Sequence, residues 1–236
     1  MVKDNTMTIF IDSSNLGEIK KYHKLGIIRG VTTNPTILLK EGIEKHKIKD
    51  HIKSIADTVN PYPVSAEVTS NVFDDMIKEA IAISKIASNI NIKIPIHGPN
   101  GELENLEVVK LLTKEGISIN VTAMMSAQQC LLAALSGADY VSLFGGRVNN
   151  MGYNCIDEIK KIRVLLDSIP ELNNTKIIMG SSREVLNIIE WLVVGADIIT
   201  VSPSLIEGML VHPYSKETVQ MFMEDAKTMG GAWINI

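Results

Sequence analysis

Cysteine is nearly missing from this chain: Cys130 and Cys155 are the two in 236 residues. Two thiols make no disulfide framework, and their spacing is not that of a metal site, so a reducing cytosol is the expected setting. No block of lysine or arginine stands out, and the formal net charge is −4, which lends no support to nucleic-acid binding. No apolar run approaches the length that spans a membrane. The stretch Met1–Asp12 carries Asp4 and Asp12 and no long apolar core, so it does not read as a secretory signal. G-x-G-x-x-G and Walker loops are also missing, which leaves cofactor-dependent hydride or NTP chemistry without a motif. The remainder is 45% hydrophobic and 21% charged, a globular rather than disordered balance. The expectation is a soluble, cytoplasmic protein.

What is present falls into a rhythm of strand-like and helix-like segments. Strands are expected at Met7–Asp12, Gly30–Thr33, Val64–Val68, Asn91–Pro95, Ser118–Thr122, Tyr140–Leu143, Lys176–Met179 and Ile198–Val201. Between them lie helical stretches: Asn15–Leu25, capped by Ser13 or Ser14, then Asn34-Pro35 as a turn that can start a helix, Glu44–Thr58, Phe73–Ser88, Leu106–Glu115 and Ala127–Leu135. Ile156–Leu166, Glu184–Val194, Leu205–Leu210 and Lys216–Thr228 follow. Eight such alternations in this length predict a single-domain (β/α)8 barrel over residues 1–236, with 216–236 as a C-terminal helix and tail. An open doubly wound sheet is the competitor, but it usually has fewer strands and a glycine-rich loop after the first.

In such a barrel the active site lies at the C-terminal ends of the strands. One polar residue after another falls there: Asp12, Thr33 with Asn34, Glu67, Lys93, Asn120 with Thr122, Ser142, Ser181 and Ser202. Lys93 interrupts the apolar run Asn-Ile-Lys-Ile-Pro. A lysine facing a barrel interior loses hydration, which disfavours the charged form of an amine, and a neutral amine attacks ketones and aldehydes. The plainer reading is a lysine reaching out at a strand edge; for Asp12 it is a cap or a turn. A second set reads as an anion site. Arg147 follows Phe144-Gly145-Gly146, where glycines let backbone approach a ligand, and Ser181-Ser182-Arg183 opens a helix after the seventh strand. Surface arginines in loose ion pairs are the alternative.

These residues resemble the transaldolase and fructose-6-phosphate aldolase family, particularly its small members, over nearly the whole chain. The resemblance is carried by Phe10-Ile11-Asp12, Gly30-Val31-Thr32-Thr33-Asn34-Pro35, Ser65-Ala66-Glu67-Val68, Ile92-Lys93-Ile94-Pro95, Asn120-Val121-Thr122 and Gly137-Ala138-Asp139-Tyr140-Val141-Ser142. It implies a Schiff base on Lys93 and acid–base work by Asp12. Glu67 and Thr122 would position a water, while Thr33, Asn34, Asn120 and Ser142 line the dihydroxyacetone site. Arg147, Ser181 and Arg183 would hold the phosphate. Further implications are phosphorylated sugar substrates, no cofactor or metal, and a place in the pentose phosphate pathway. Phe144, where aldolases of the family resemble each other in having tyrosine, together with Glu67 in place of their glutamine, favours transaldolase.

Three stretches depart from the family pattern. His97-Gly98-Pro99-Asn100-Gly101-Glu102 is a longer, polar connection expected at the site's mouth, where it would alter which acceptor enters; His97 either touches substrate or faces solvent. Ser181-Ser182-Arg183-Glu184-Val185 lacks the proline common after this arginine, and Gly145-Gly146 loosens the approach to Arg147. A specialised sugar aldolase, a non-covalent phosphosugar isomerase or epimerase, and a non-catalytic binding paralogue are the competing readings. Val219, Phe222, Met223 and Trp233 give the tail an apolar character, suited either to its own barrel or to a neighbouring subunit in the pentamer or decamer that the resemblance implies.

Overall fold

Short runs rich in β-branched residues form strands here that are buried on both faces, while the stretches between carry a single apolar stripe at helical spacing. The computed structural model describes residues 7–230. Its first half comprises β1 (Thr8–Asp12), α1 (Leu16–Lys24), β2 (Val31–Thr32), α2 (Pro35–Lys40), α3 (Ile48–Val59), β3 (Val64–Glu67), α4 (Phe73–Ser84), β4 (Ile90–Pro95) and α5 (Glu104–Lys114). The second half comprises β5 (Ile119–Met124), α6 (Ala127–Leu135), β6 (Tyr140–Phe144), α7 (Gly145–Asn150), α8 (Cys155–Ser168), β7 (Lys176–Gly180), α9 (Val185–Val193), β8 (Ile198–Val201), α10 (Pro203–Leu210) and α11 (Pro213–Thr228). Neighbouring strands pair in parallel, and β8 pairs back onto β1, so the sheet closes as a (β/α)8 barrel. No helix among the described residues is long and apolar enough to cross a membrane.

Strand alternation sorts the side chains into two environments. On β4, Ile90, Ile92 and Ile94 belong to the main core between barrel and helices, with Val64 and Ala66 of β3 and Ile119 and Val121 of β5. The intervening residues, Ser65, Glu67, Asn91, Lys93, Asn120 and Thr122, face the barrel axis instead. On the opposite wall the axis is apolar: Phe10, Ile178 and Ile198 form a separate buried cluster against Tyr140. The barrel is thus filled by polar groups on the side of β3 to β6 and, on the other, by hydrocarbon beneath the polar Asp12 and Thr200.

The two Gly-Ala-Asp triplets, which precede β6 and β8, do the same job a quarter of the barrel apart. Gly137 and Gly195 take positive φ of 101° and 119°, which ends α6 and α9. Asp139 then accepts from the Ile119 amide at 2.8 Å and Asp197 from the Ile177 amide at 2.7 Å. Each carboxylate ties the start of one strand to the next, and Arg163 on α8 holds Asp197 at 3.1 Å.

The structure corrects the sequence reading in several places. Asn15, not Ser13 or Ser14, caps α1, accepting from the Glu18 amide at 3.1 Å; Ser14 is fully buried and Ser13 donates to Glu18. The Asn34-Pro35 turn does start a helix, α2, with Asn34 as its cap; α7 was unforeseen, being too short to show a period. Gly145-Gly146 begins α7 rather than a loose ligand loop. Ser181-Ser182-Arg183 precede α9 without opening it, since Ser181 turns the chain at φ 58° and the helix starts only at Val185. Finally, α11 starts at Pro213, and every residue from Val211 to Gly230 is exposed. Trp233 lies outside the described residues.

Candidate active site

A cavity of about 820 Å3 opens at the C-terminal ends of the strands. Register places Glu67 beside Lys93, and Lys93 beside Asn120, across three adjacent strands. At its floor, Lys93 Nζ lies 3.1 Å from Glu67 Oε2 and donates to the Thr33 carbonyl at 3.2 Å. Lys93 is 5% exposed, yet it lines the cavity. It therefore points along the barrel axis rather than reaching out at an edge. A buried ammonium removed from water requires a partner such as this carboxylate.

Asp12 stands at the end of β1 and accepts from Thr32 Oγ1 at 2.6 Å. Thr32 has one hydrogen, so its contact with Thr200 Oγ1 at 2.5 Å is supplied by the Thr200 hydroxyl. Capping does not explain Asp12, because α1 is capped by Asn15. Thr122 is 1% exposed, borders the cavity, and its Oγ1 has no partner among the described residues. The ladder slips between Val121 and Met124, and Ala123 adopts φ 61°. Such a bulge beside a site re-aims the side chains around it.

Ser142 lines the cavity and donates to Asn120 Oδ1 at 2.7 Å. Asn120 itself is fully buried behind it. Thr33 is likewise buried and spends its hydroxyl on the Ser65 carbonyl at 2.9 Å. Neither Asn120 nor Thr33 borders the cavity. Asn34 does, although its Oδ1 caps α2 by accepting from Ile37 at 2.9 Å, which leaves its amide nitrogen for the cavity.

The far end of the cavity is lined by Phe144, Arg147, Ser181, Ser182 and Arg183. The Arg147 guanidinium sits 5.2 Å from the Phe144 ring centre, a cation–π seat. Among the described residues neither Arg147 nor Arg183 forms an ion pair, which sets aside the loose-pair alternative. A side chain on Gly146 would overlap the Ser181 carbonyl, and one on Gly145 would meet Trp191 and Cys155. The glycines thus let the loops after β6 and β7 pack against each other, rather than admitting a ligand. No residue of the His97–Glu102 loop lines the cavity; Glu102 folds that loop on itself by accepting from Asn100. Sequence reasoning missed Thr32, Thr200 and, also on the lining, Glu18, Lys40 and Glu41. Thr32 was readable, since it shares the inward face with Asp12 one strand away.

The model of the transaldolase/fructose-6-phosphate aldolase family matches residues 9–232. A probable transaldolase from Caldicellulosiruptor saccharolyticus is 42% identical over 219 residues, covering 93% of this chain and 96% of its own. One from Bartonella tribocorum is 38% identical, covering 95% and 98%. Probable transaldolase 1 of Listeria monocytogenes is 42% identical, covering 93% and 97%. Among solved structures, a putative lactate oxidase from Pediococcus acidilactici superposes with a TM-score of 0.56 at 14% identity, over 84% of this chain and 63% of that one; this likeness speaks to the barrel alone. Motifs, barrel and relatives agree: the chain belongs to the transaldolase/fructose-6-phosphate aldolase family.

Proposed function

We propose that this protein is a transaldolase that moves a dihydroxyacetone unit from fructose 6-phosphate or sedoheptulose 7-phosphate to an aldose phosphate through an imine on Lys93. The observation that carries this reading is the buried contact between Lys93 Nζ and Glu67, at 3.1 Å on the floor of a cavity whose far end holds two arginines with no ion pair among the described residues. Glu67 takes the ammonium proton, and the freed amine attacks the C2 carbonyl of the ketose. Thr122, with an unspent hydroxyl, and Glu67 hold the water that carries protons as the carbinolamine dehydrates. The iminium is the electron sink. Asp12, oriented by Thr32, takes the C4 hydroxyl proton as the C3–C4 bond breaks, and the aldose phosphate leaves. The sugar hydroxyls meet Asn34 and Ser142, and the phosphate meets Arg147, Arg183 and Ser181.

The enamine left on Lys93 is expected to wait for an acceptor. Phe144 lines the cavity without a hydroxyl that would orient a water for protonating it. Incubation with fructose 6-phosphate and erythrose 4-phosphate should yield sedoheptulose 7-phosphate and glyceraldehyde 3-phosphate. Steady release of free dihydroxyacetone without acceptor would instead make the protein an aldolase. A homo-oligomer, pentamer or decamer, belongs to the same proposal. Val219, Phe222 and Met223 on α11 are all more than half exposed, and an apolar helix that its own barrel does not cover is suited to a second copy.

A further inference from the structure

Beneath the lysine lies a row of buried polar side chains, of which Asn91 and Ser65 have no part in the imine chemistry proposed above. Asn91 precedes Lys93 by two residues on β4, faces the same way, and is 2% exposed. Its Oδ1 accepts from Ser65 Oγ at 2.5 Å. Ser65 Oγ in turn accepts from Asn120 Nδ2 at 3.1 Å, and Asn120 Oδ1 accepts from Ser142 Oγ at 2.7 Å. Four residues on four strands thus form one chain, and Ser142 is the member that reaches the cavity.

The chain has a direction. Each hydroxyl owns a single hydrogen; that of Ser65 goes to Asn91 and that of Ser142 goes to Asn120. Ser142 therefore meets the cavity with lone pairs only. Removing the Asn91 acceptor leaves Ser65 with Asn120 as its remaining partner. The Asn120 amide would turn over to offer its oxygen to Ser65, its nitrogen would donate to Ser142, and the Ser142 hydrogen would swing into the cavity. Asn91 anchors this direction at an evident cost, because its Nδ2 finds no partner among the described residues and a buried amide left half-satisfied destabilises the fold. Its neighbours Ile90, Ile92 and Ile94 pack as ordinary core, so the amide is not there for packing.

We infer that Asn91 and Ser65 are positioning residues that set Ser142 as an acceptor for a hydroxyl of the ketose's three-carbon unit. The inference rests on the lysine-imine reading of the cavity. It is tested by cyanoborohydride capture on Lys93, comparing dihydroxyacetone with acetone, which presents a carbonyl and no hydroxyl. Asn91→Leu and Ser65→Ala are each expected to slow dihydroxyacetone capture by about tenfold while leaving acetone capture within about twofold of the parent. Because Asn91 acts through Ser65, the double variant should be no worse than Ser65→Ala alone. The ratio is taken within one folded preparation, so lost stability does not imitate the result. Equal slowing of both ketones, slowing of neither, or additive losses in the double variant would overturn the inference. A parent protein that captures neither ketone would overturn the lysine-imine reading itself, and would do so before any substitution is made.

Discussion

Single residues decide the chemistry here through the groups that hold them. Lys93 and Glu67 were legible in the sequence because polar residues at every second position of Ser-Ala-Glu and Asn-Ile-Lys put both on the inward face of adjacent strands. Asn120 and Thr33 were legible as polar strand-end residues, yet which of their atoms are already committed depends on partners 22 to 55 positions away in the chain. No local pattern encodes that. The same holds for Thr32, whose hydroxyl Asp12 accepts at 2.6 Å. Thr32→Val keeps the shape and removes the donor; turnover should fall by roughly 10- to 100-fold with little change in melting temperature, because Asp12, the proposed acid–base group, loses the donor that orients it. Steady-state kinetics beside a thermal melt reads both. Gly146→Ala would drive a methyl into the Ser181 carbonyl and displace Ser181 and Arg183. The KM for a phosphorylated ketose should rise by roughly tenfold or more, while capture of unphosphorylated dihydroxyacetone on Lys93 holds.

Elements were read well where they are long and periodic. The eight strands fall where the short apolar runs put them, and Asn34-Pro35 marked the start of α2, whereas α7, six residues long, was invisible. At the start of α6, Glu158 reaches across from α8. It accepts from Lys161 at 2.6 Å and from the Ala127 amide at 2.7 Å, and these bonds hold its carboxyl below the ordinary 4.5. A lowered folded-state value means the contribution is complete above 4.5 and is lost as pH falls through the depressed value. Glu158→Gln should accordingly lower the melting temperature by about 2–4 °C at pH 7, with the gap from the parent closing under acid conditions. Melts across a pH series check this. The thiols on the same two helices are inert by burial: Cys130 is pushed well up and Cys155 to about 12.

The whole molecule joins a closed barrel, whose axis is polar on the side of Lys93, to a helix that leaves it. The sequence showed the apolar tail but left open which surface covers it. The barrel does not, since no residue of α11 is buried. Phe222→Glu is expected to dissociate the proposed oligomer to single chains in sedimentation velocity while far-UV circular dichroism stays unchanged; a parent already monomeric, or an unaltered sedimentation coefficient, would count against α11 as a joining element. The most direct measurement of all is borohydride reduction in the presence of fructose 6-phosphate, read by intact mass and peptide mapping. One three-carbon adduct on Lys93, absent from Lys93→Ala and lost when erythrose 4-phosphate is added before the reductant, is the predicted result. No adduct with fructose 6-phosphate, sedoheptulose 7-phosphate or dihydroxyacetone would contradict the account.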